Sequence, residues 1–223
     1  MATKQATQRD KVIQAAKFPS KPPITAYQLA KREIQDYLSS GKNDLSHFDF
    51  IVAKLEGIID TDEVKRDAAR KDLACINSFR DLMKTKKFSK YTMGLKKVDV
   101  PLTVGKVKIN VRLDVALTEK SKDDVISAGG IILFTARSEE GRKNIAERRR
   151  QISQLILWGL EGYGNFNPLP RLCMSMDLHG QALVKATNVS EQYRTYVRGA
   201  CQEAELKWDS VSPPKDYDGP NWQ

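Results

Sequence analysis

The stretch of sequence that decides the fold runs from Gly105 to Tyr163 and reads GKVKINVRLDVALTEKSKDDVISAGGIILFTARSEEGRKNIAERRRQISQLILWGLEGY. Apolar residues alternate with other residues from Val107 to Leu117, which is the period of a half-buried β-strand. After a charged loop, residues 131–136 are apolar on both faces, as expected of a central strand covered on both sides. Helical spacing follows over Glu139–Glu161. This stretch therefore predicts a long strand, a central strand and a covering helix.

Helices are predicted upstream of this stretch. Apolar residues recur at spacings of three and four over residues 25–40, 45–58 and 60–83, which is the pattern of three amphipathic helices. Thr25 can cap the first of them. A strand over Val98–Val104 then contains Pro101, which favours an edge position because proline has no backbone N–H to donate.

Two short strands and a helix are predicted downstream, over Arg171–Met176, Ala182–Ala186 and Ser190–Trp208. The predicted fold class is α/β (α+β), with a helical N-terminal region followed by a mixed sheet flanked by helices. The predicted organisation has four parts. They are a flexible basic arm (1–23), a helical region (24–86), a mixed-sheet core (87–208) and an extended tail (209–223).

The composition favours a polyanionic partner. The chain has 223 residues, a net charge of +9 and a sequence pI near 9.4, and nucleic acid is the commonest partner of such a protein. A basic protein without an anionic partner is the alternative. The three cysteines and two histidines are isolated, so neither a zinc ribbon nor a disulfide framework is expected. With no apolar span and no secretory signal, we expect a cytoplasmic protein without a membrane partner.

Candidate nucleic-acid-binding residues are basic or aromatic side chains, most of them in two places. A basic segment from Lys84 to Lys97 interleaves lysines with aromatic residues, which can contact phosphates and stack on bases, although lysines also protect edge strands. Arginines on the predicted helix can follow a phosphate backbone or pair with neighbouring glutamates. The candidates are Lys84, Lys86, Lys87, Lys90, Tyr91, Arg112, Arg137, Arg142, Lys143, Arg149 and Arg150.

The order of predicted elements and a few positions carry a resemblance to a known family. From the third helix onward the order is helix, three antiparallel strands, helix, strand, helix. Asp114 lies near the end of the long strand, and Gln154 is followed four residues later by Trp158. Over roughly residues 60–208 the chain resembles the PD-(D/E)XK nuclease-like superfamily of the RecB and lambda-exonuclease type. The resemblance implies a restriction-endonuclease-like core in which Asp114 binds magnesium and Gln154 belongs to the site.

The third predicted strand departs from that family pattern. The family places an acid and a lysine there, whereas residues 131–137 contain neither. Magnesium requires hard oxygen ligands, usually including carboxylates. The candidates for a migrated acid are Glu139 and Glu140 just beyond the strand, and Glu33, Glu56 or Glu63 if they point inward from the predicted helices. Arg137 can replace the missing positive charge but cannot act as a base. The catalytic candidates are therefore Asp114, Glu139 and Gln154, with Asp114 as the metal ligand.

Three functions remain open at this point. The leading hypothesis is a nucleic-acid-associated protein with a degenerate nuclease-like domain, which binds DNA or RNA with little or no cleavage and needs no cofactor. The second is an active magnesium-dependent nuclease that uses Asp114 and a migrated glutamate. The third is a protein–protein interaction subunit or virion component with a protein partner. The structural alternatives are a surface Asp114 paired with Arg112 or a lysine, and a Gln154 that only packs.

Overall fold

The computed structural model describes residues 2–19, 27–41, 44–86, 92–120, 126–135, 144–164 and 167–217. Within these ranges the chain forms six helices and a five-stranded sheet. The helices are α1 (Ala2–Lys17), α2 (Gln28–Ser39), α3 (His47–Thr61), α4 (Arg66–Thr85), α5 (Ile145–Glu161) and α6 (Glu191–Trp208). The strands are β1 (Thr92–Val104), β2 (Val107–Lys120), β3 (Ile126–Phe134), β4 (Asn167–Asp177) and β5 (Ala182–Lys185). The predicted α/β fold with an N-terminal helical region is confirmed.

The sheet is mixed and its strands lie in sequence order from β1 to β5. Strands β2 and β3 are antiparallel, with Val115 opposite Ile131, whereas β3 and β4 are parallel, with Ile131 opposite Met174. The parallel pair requires a crossover, and helix α5 lies on that connection. Gly129 in β3 allows β4 to approach closely, because a Cβ atom there would lie 2.2 Å from the Cβ atom of Leu172.

The chain divides into two compact units. The smaller comprises Met1–Thr25, Thr103–Ile109 and Ser190–Gln223, and the larger comprises Ala26–Leu102 and Asn110–Val189. The last helix, predicted as part of the mixed-sheet core, falls in the smaller unit. The boundaries proposed from the sequence at residues 23, 86 and 208 stay a prediction.

Helix α1 occupies most of the segment that the sequence predicts to be a flexible arm. The sequence indicates only a turn or two within Lys11–Phe18, whereas the helix begins at Ala2. Its alanines, glutamines and lysines favour helix, but its apolar stripe is sparse: Ile13 is buried, and Phe18 is buried directly after the helix ends. A helix with so few apolar positions gives only a weak periodic signal.

The core of the larger unit lies between helices α2 to α4 and one face of the sheet. Its largest fully buried side chains include Phe48, Phe79 and Ile34 from the helices and Leu117 and Ile131 from the strands. These residues belong to the apolar stripes and alternating positions that the sequence predicts. Among the described residues, none of the helices is long and apolar enough to cross a membrane.

Candidate functional site

Asp114 lies on β2 directly before the residues that pair with β3, and its side chain contacts β3 instead. The antiparallel register begins at Val115 opposite Ile131. One residue earlier, a carboxylate oxygen of Asp114 accepts a hydrogen bond from the backbone N–H of Leu133 at 2.7 Å. The other oxygen accepts one from the Gln35 amide at 2.7 Å. Asp114 therefore joins strand β2 to strand β3 and to helix α2.

The same carboxylate has a cation beside it. The ammonium group of Lys31 lies 2.9 Å from the oxygen that Gln35 also contacts. The Asp114 side chain is 5% exposed and that of Lys31 is 39% exposed, so the ion pair extends from the interior to the surface. With three donors on its two oxygens, the Asp114 carboxylate is satisfied as a buried charge must be.

The structural alternative for Asp114 was partly right. The expected lysine pairing is present, since Lys31 supplies it, but Asp114 is buried rather than at the surface. Arg112 pairs instead with Asp99, with nitrogen and carboxylate oxygen 2.7 Å apart. The hydrogen bond from Arg112 lowers the pKa of Asp99, and the same bond raises the pKa of Arg112.

The amino-terminal end of helix α2 is tied down by a second buried carboxylate. Asp72 of helix α4 accepts a hydrogen bond from the backbone N–H of Ala30 at 3.0 Å. Burial raises the pKa of Asp72, while the bond from Ala30 opposes that shift. Because Lys31 directly follows Ala30, this contact helps to position the lysine that pairs with Asp114.

A second buried charge lies at the carboxyl end of β4. Asp177 is fully buried and pairs with Arg149 of α5, with nitrogen and oxygen 3.3 Å apart. It also accepts a hydrogen bond from the Gly180 N–H at 2.9 Å. The hydroxyl of Ser175 donates to the carbonyl of Arg149 at 2.9 Å. These contacts fix α5 against β4.

Gln154, the other catalytic candidate in the described chain, lies on the buried face of α5. Its amide donates to the hydroxyl of Thr187 at 3.3 Å. Trp158, four residues later, is half-buried. No contact between Gln154 and Asp114 is present among the hydrogen bonds of the described residues. The structure therefore brings Asp114 together with Lys31 and Gln35.

Ligands for a metal are too few in the described ranges. No group of three or more histidine, cysteine, aspartate or glutamate side chains lies within metal-binding reach there. Glu33, one of the helical acids that could have pointed inward, pairs with Arg32 at 2.8 Å. Glu139, a candidate for a migrated acid, lies outside the described residues.

The predicted nucleic-acid contacts differ in how accessible they are. Arg149 is 13% exposed and is held by Asp177, which makes it a poor phosphate ligand. Lys84 and Arg150 are exposed but form ion pairs with Asp81 and Glu147. Lys86 is exposed and has no ion-pair partner among the described residues. Lys87, Lys90, Tyr91, Arg137, Arg142 and Lys143 lie outside the described residues.

Sequence reasoning missed Lys31 and Gln35. They lie four residues apart, on one side of helix α2 and next to the buried Ile34. A glutamine on the border of an apolar stripe is a weak signal by itself. Their partner Asp114 lies 79 residues beyond Gln35, and nothing local links the two.

Comparisons with known proteins add no family to this description. The chain matches no protein-family model, and it matches none of the curated proteins.

Proposed function

We propose that the protein binds nucleic acid and does not cleave it, with a nuclease-like α/β core whose catalytic position has become structural. One observation supports the loss of cleavage more than any other. The cation beside Asp114 is the ammonium group of Lys31, 2.9 Å from the carboxylate. In a nuclease of the PD-(D/E)XK superfamily, this aspartate would bind a metal ion. Here the positive charge beside it comes from a lysine of the protein itself.

The hydrogen bonds around Asp114 argue in the same direction. A metal ion bound to the oxygen that Lys31 and Gln35 contact would have to displace the ammonium group. It would gain one carboxylate, whereas magnesium sites combine one or more carboxylates with other hard oxygen ligands in octahedral geometry. Two-metal catalysis needs still more ligands. Asp114 therefore fits the role of a clamp between α2 and the sheet better than that of a metal ligand.

The binding part of the proposal rests on charge. The net charge is +9, and many arginines and lysines of the described residues are already paired with acids. Within the described part of the larger unit, the exposed lysines without an ion-pair partner there are Lys54, Lys71, Lys86, Lys97 and Lys185. Cations of this kind bind phosphates by releasing condensed counterions, without reading sequence.

We also propose a reducing cellular compartment, on the basis of the cysteines. Cys75, Cys173 and Cys201 are free and buried. Burial raises the pKa of Cys75 and of Cys173 to about 12, so both remain protonated thiols at neutral pH. A reducing compartment, such as the cytoplasm, suits a chain with this use of cysteine.

Binding and cleavage are tested on the same samples. Fluorescently labelled single-stranded and duplex DNA and RNA are titrated with the protein at low salt and then incubated with Mg²⁺ or Mn²⁺. We expect binding to at least one of these nucleic acids and intact strands on a denaturing gel. Metal-dependent cleavage that disappears in Asp114→Ala would contradict the proposal and favour an active nuclease. Failure to bind any of them would contradict the binding part.

A further inference from the structure

A groove in the smaller unit lies between helix α1 and the segment that follows helix α6. Its volume is about 310 Å³. One wall is a single stripe of α1 and the residue after it, because Lys11, Gln14, Ala15 and Phe18 follow the i, i+3, i+4, i+7 spacing of one helix face. The other wall is formed by residues 214–217. The groove is therefore built from two segments that lie far apart in sequence.

The walls of the groove are held together by several specific contacts. The Gln14 amide donates to the carbonyl of Ser212 at 2.8 Å, and the ammonium group of Lys17 donates to the carbonyl of Val211 at 3.2 Å. The rings of Phe18 and Tyr217 meet edge to face, with centroids 5.3 Å apart. The contact with Phe18 holds the ring of Tyr217, which lines the groove, in place.

The chemistry of the lining combines cations, a ring and hydrogen-bond acceptors. Lys11 and Lys215 are exposed, and neither has an ion-pair partner among the described residues. Tyr217 supplies an aromatic ring, and Asp216 supplies a carboxylate. Because the Gln14 amide nitrogen is engaged with Ser212, its oxygen remains an acceptor. Lysines close to an aromatic ring form the combination that binds single-stranded nucleic acid.

We propose that this groove holds a nucleotide unit, with its phosphate on Lys11 and Lys215 and its base against the ring of Tyr217. Asp216 and the Gln14 oxygen are placed to accept hydrogen bonds from the amino groups of a base. The volume lies at the lower end of the range for small-ligand sites, which suits one nucleotide rather than a duplex. This inference rests on the proposed function and narrows it to single strands.

The test compares two double variants that remove the same charge. Lys11→Gln with Lys215→Gln changes the groove, whereas Lys65→Gln with Arg70→Gln removes two exposed cations of the larger unit that are paired with Asp62 and Asp67. Binding of a labelled 12-nucleotide single strand is measured by fluorescence anisotropy over a range of salt. We expect the groove variant to bind about tenfold more weakly, with a salt slope smaller by about 1.4, or roughly 0.7 for each lysine. The control should lose about twofold or less.

A third variant separates stacking from charge. Tyr217→Leu keeps an apolar side chain against Phe18 but removes the ring. We expect roughly fivefold weaker binding of the single strand, the lower end of what base–aromatic stacking supplies, with the salt slope unchanged. Equal losses in the groove and control double variants, or no loss in Tyr217→Leu, would overturn the assignment while leaving nucleic-acid binding elsewhere intact.

Competition with adenosine monophosphate distinguishes a nucleotide unit of a strand from a free nucleotide. It also tests the groove without requiring that the protein bind a strand. Displacement of the oligonucleotide by the mononucleotide at comparable concentration would support the groove and assign a free nucleotide to it. Should the wild-type protein bind no oligonucleotide, the proposed function fails. In that case the assignment of the groove is tested by calorimetry with adenosine monophosphate. We expect the wild-type protein to bind it and the groove variant not to; no binding to the wild-type protein would overturn the assignment.

Discussion

At the scale of single residues, Asp114 organises a buried polar cluster. Replacing Asp114 with alanine leaves the Gln35 amide and the Leu133 N–H without their acceptor and frees Lys31. Because unsatisfied buried donors are expensive, we expect the free energy of unfolding to fall by about 2–4 kcal/mol. Urea denaturation followed by circular dichroism measures this change.

A matched control is Asp99→Ala, since Asp99 also forms an ion pair, with Arg112, but lies at the surface. Exposed pairs contribute little, so its effect should be much smaller than that of Asp114→Ala. Equal losses from the two variants would show that Asp114 does not clamp α2 to the sheet.

Asp72 gives a prediction with a definite pH dependence. Its pKa is raised by burial, so the folded protein holds this proton more tightly than the unfolded chain does. Its contribution to stability is therefore most favourable at low pH and declines as the pH rises through the unfolded and then the folded pKa. Asp72→Asn retains an oxygen for the Ala30 N–H and does not titrate.

We therefore expect Asp72→Asn to gain stability relative to the wild type as the pH rises from about 3 to 7. Urea unfolding of both proteins at several pH values measures the difference. A difference that does not change with pH would mean that the Asp72 pKa is the same in the folded and unfolded chains.

At the scale of the elements, the pairing of β3 with β4 depends on a glycine. A Cβ atom at position 129 would lie 2.4 Å from the carbonyl oxygen of Leu172, and backbone atoms cannot move aside easily. We expect Gly129→Ala to destabilise the protein by about 3 kcal/mol or more, the range of overpacking and strain in a core. Thermal or urea unfolding measures it.

The matched glycine control is Gly57 in helix α3, where an added Cβ atom meets nothing within 4 Å. Gly57→Ala should stabilise the protein by about 0.5–1 kcal/mol, because alanine is the better helix former. If Gly129→Ala were as well tolerated as Gly57→Ala, the close approach of β3 and β4 would be wrong.

The strands were predictable from the sequence because their signal is local. Residues 107–117 alternate with the period of a strand and lie in β2. Residues 131–136 form a continuous apolar run, of which 131–134 lie in β3, which ends at Phe134. The site was predictable only in part. Asp114 was singled out by its place on a strand, but its partners Lys31 and Gln35 come from a helix far earlier in the chain. Pairing across that separation is decided by tertiary packing, which no short pattern encodes.

At the scale of the whole molecule, the charge of +9 is the property on which the proposed function depends. Many arginines form ion pairs within the protein: Arg149 pairs with Asp177, and Arg112 pairs with Asp99. Net charge alone therefore does not locate a binding surface. The lysines without ion-pair partners in the described ranges are the groups left to meet phosphates. Nucleic-acid binding should therefore depend strongly on salt.

The most direct measurement is the affinity for labelled single-stranded and duplex DNA and RNA between about 50 and 200 mM salt, with Mg²⁺ present and strand integrity checked afterwards. Each phosphate neutralised contributes roughly 0.7 to a single-strand slope and 0.9 to a duplex slope in a plot of log affinity against log salt. We predict a steep fall in affinity for at least one of these nucleic acids, equivalent to several phosphates, and strands that remain intact. No binding at the lowest salt, affinity that does not change with salt, or cut strands would contradict the account.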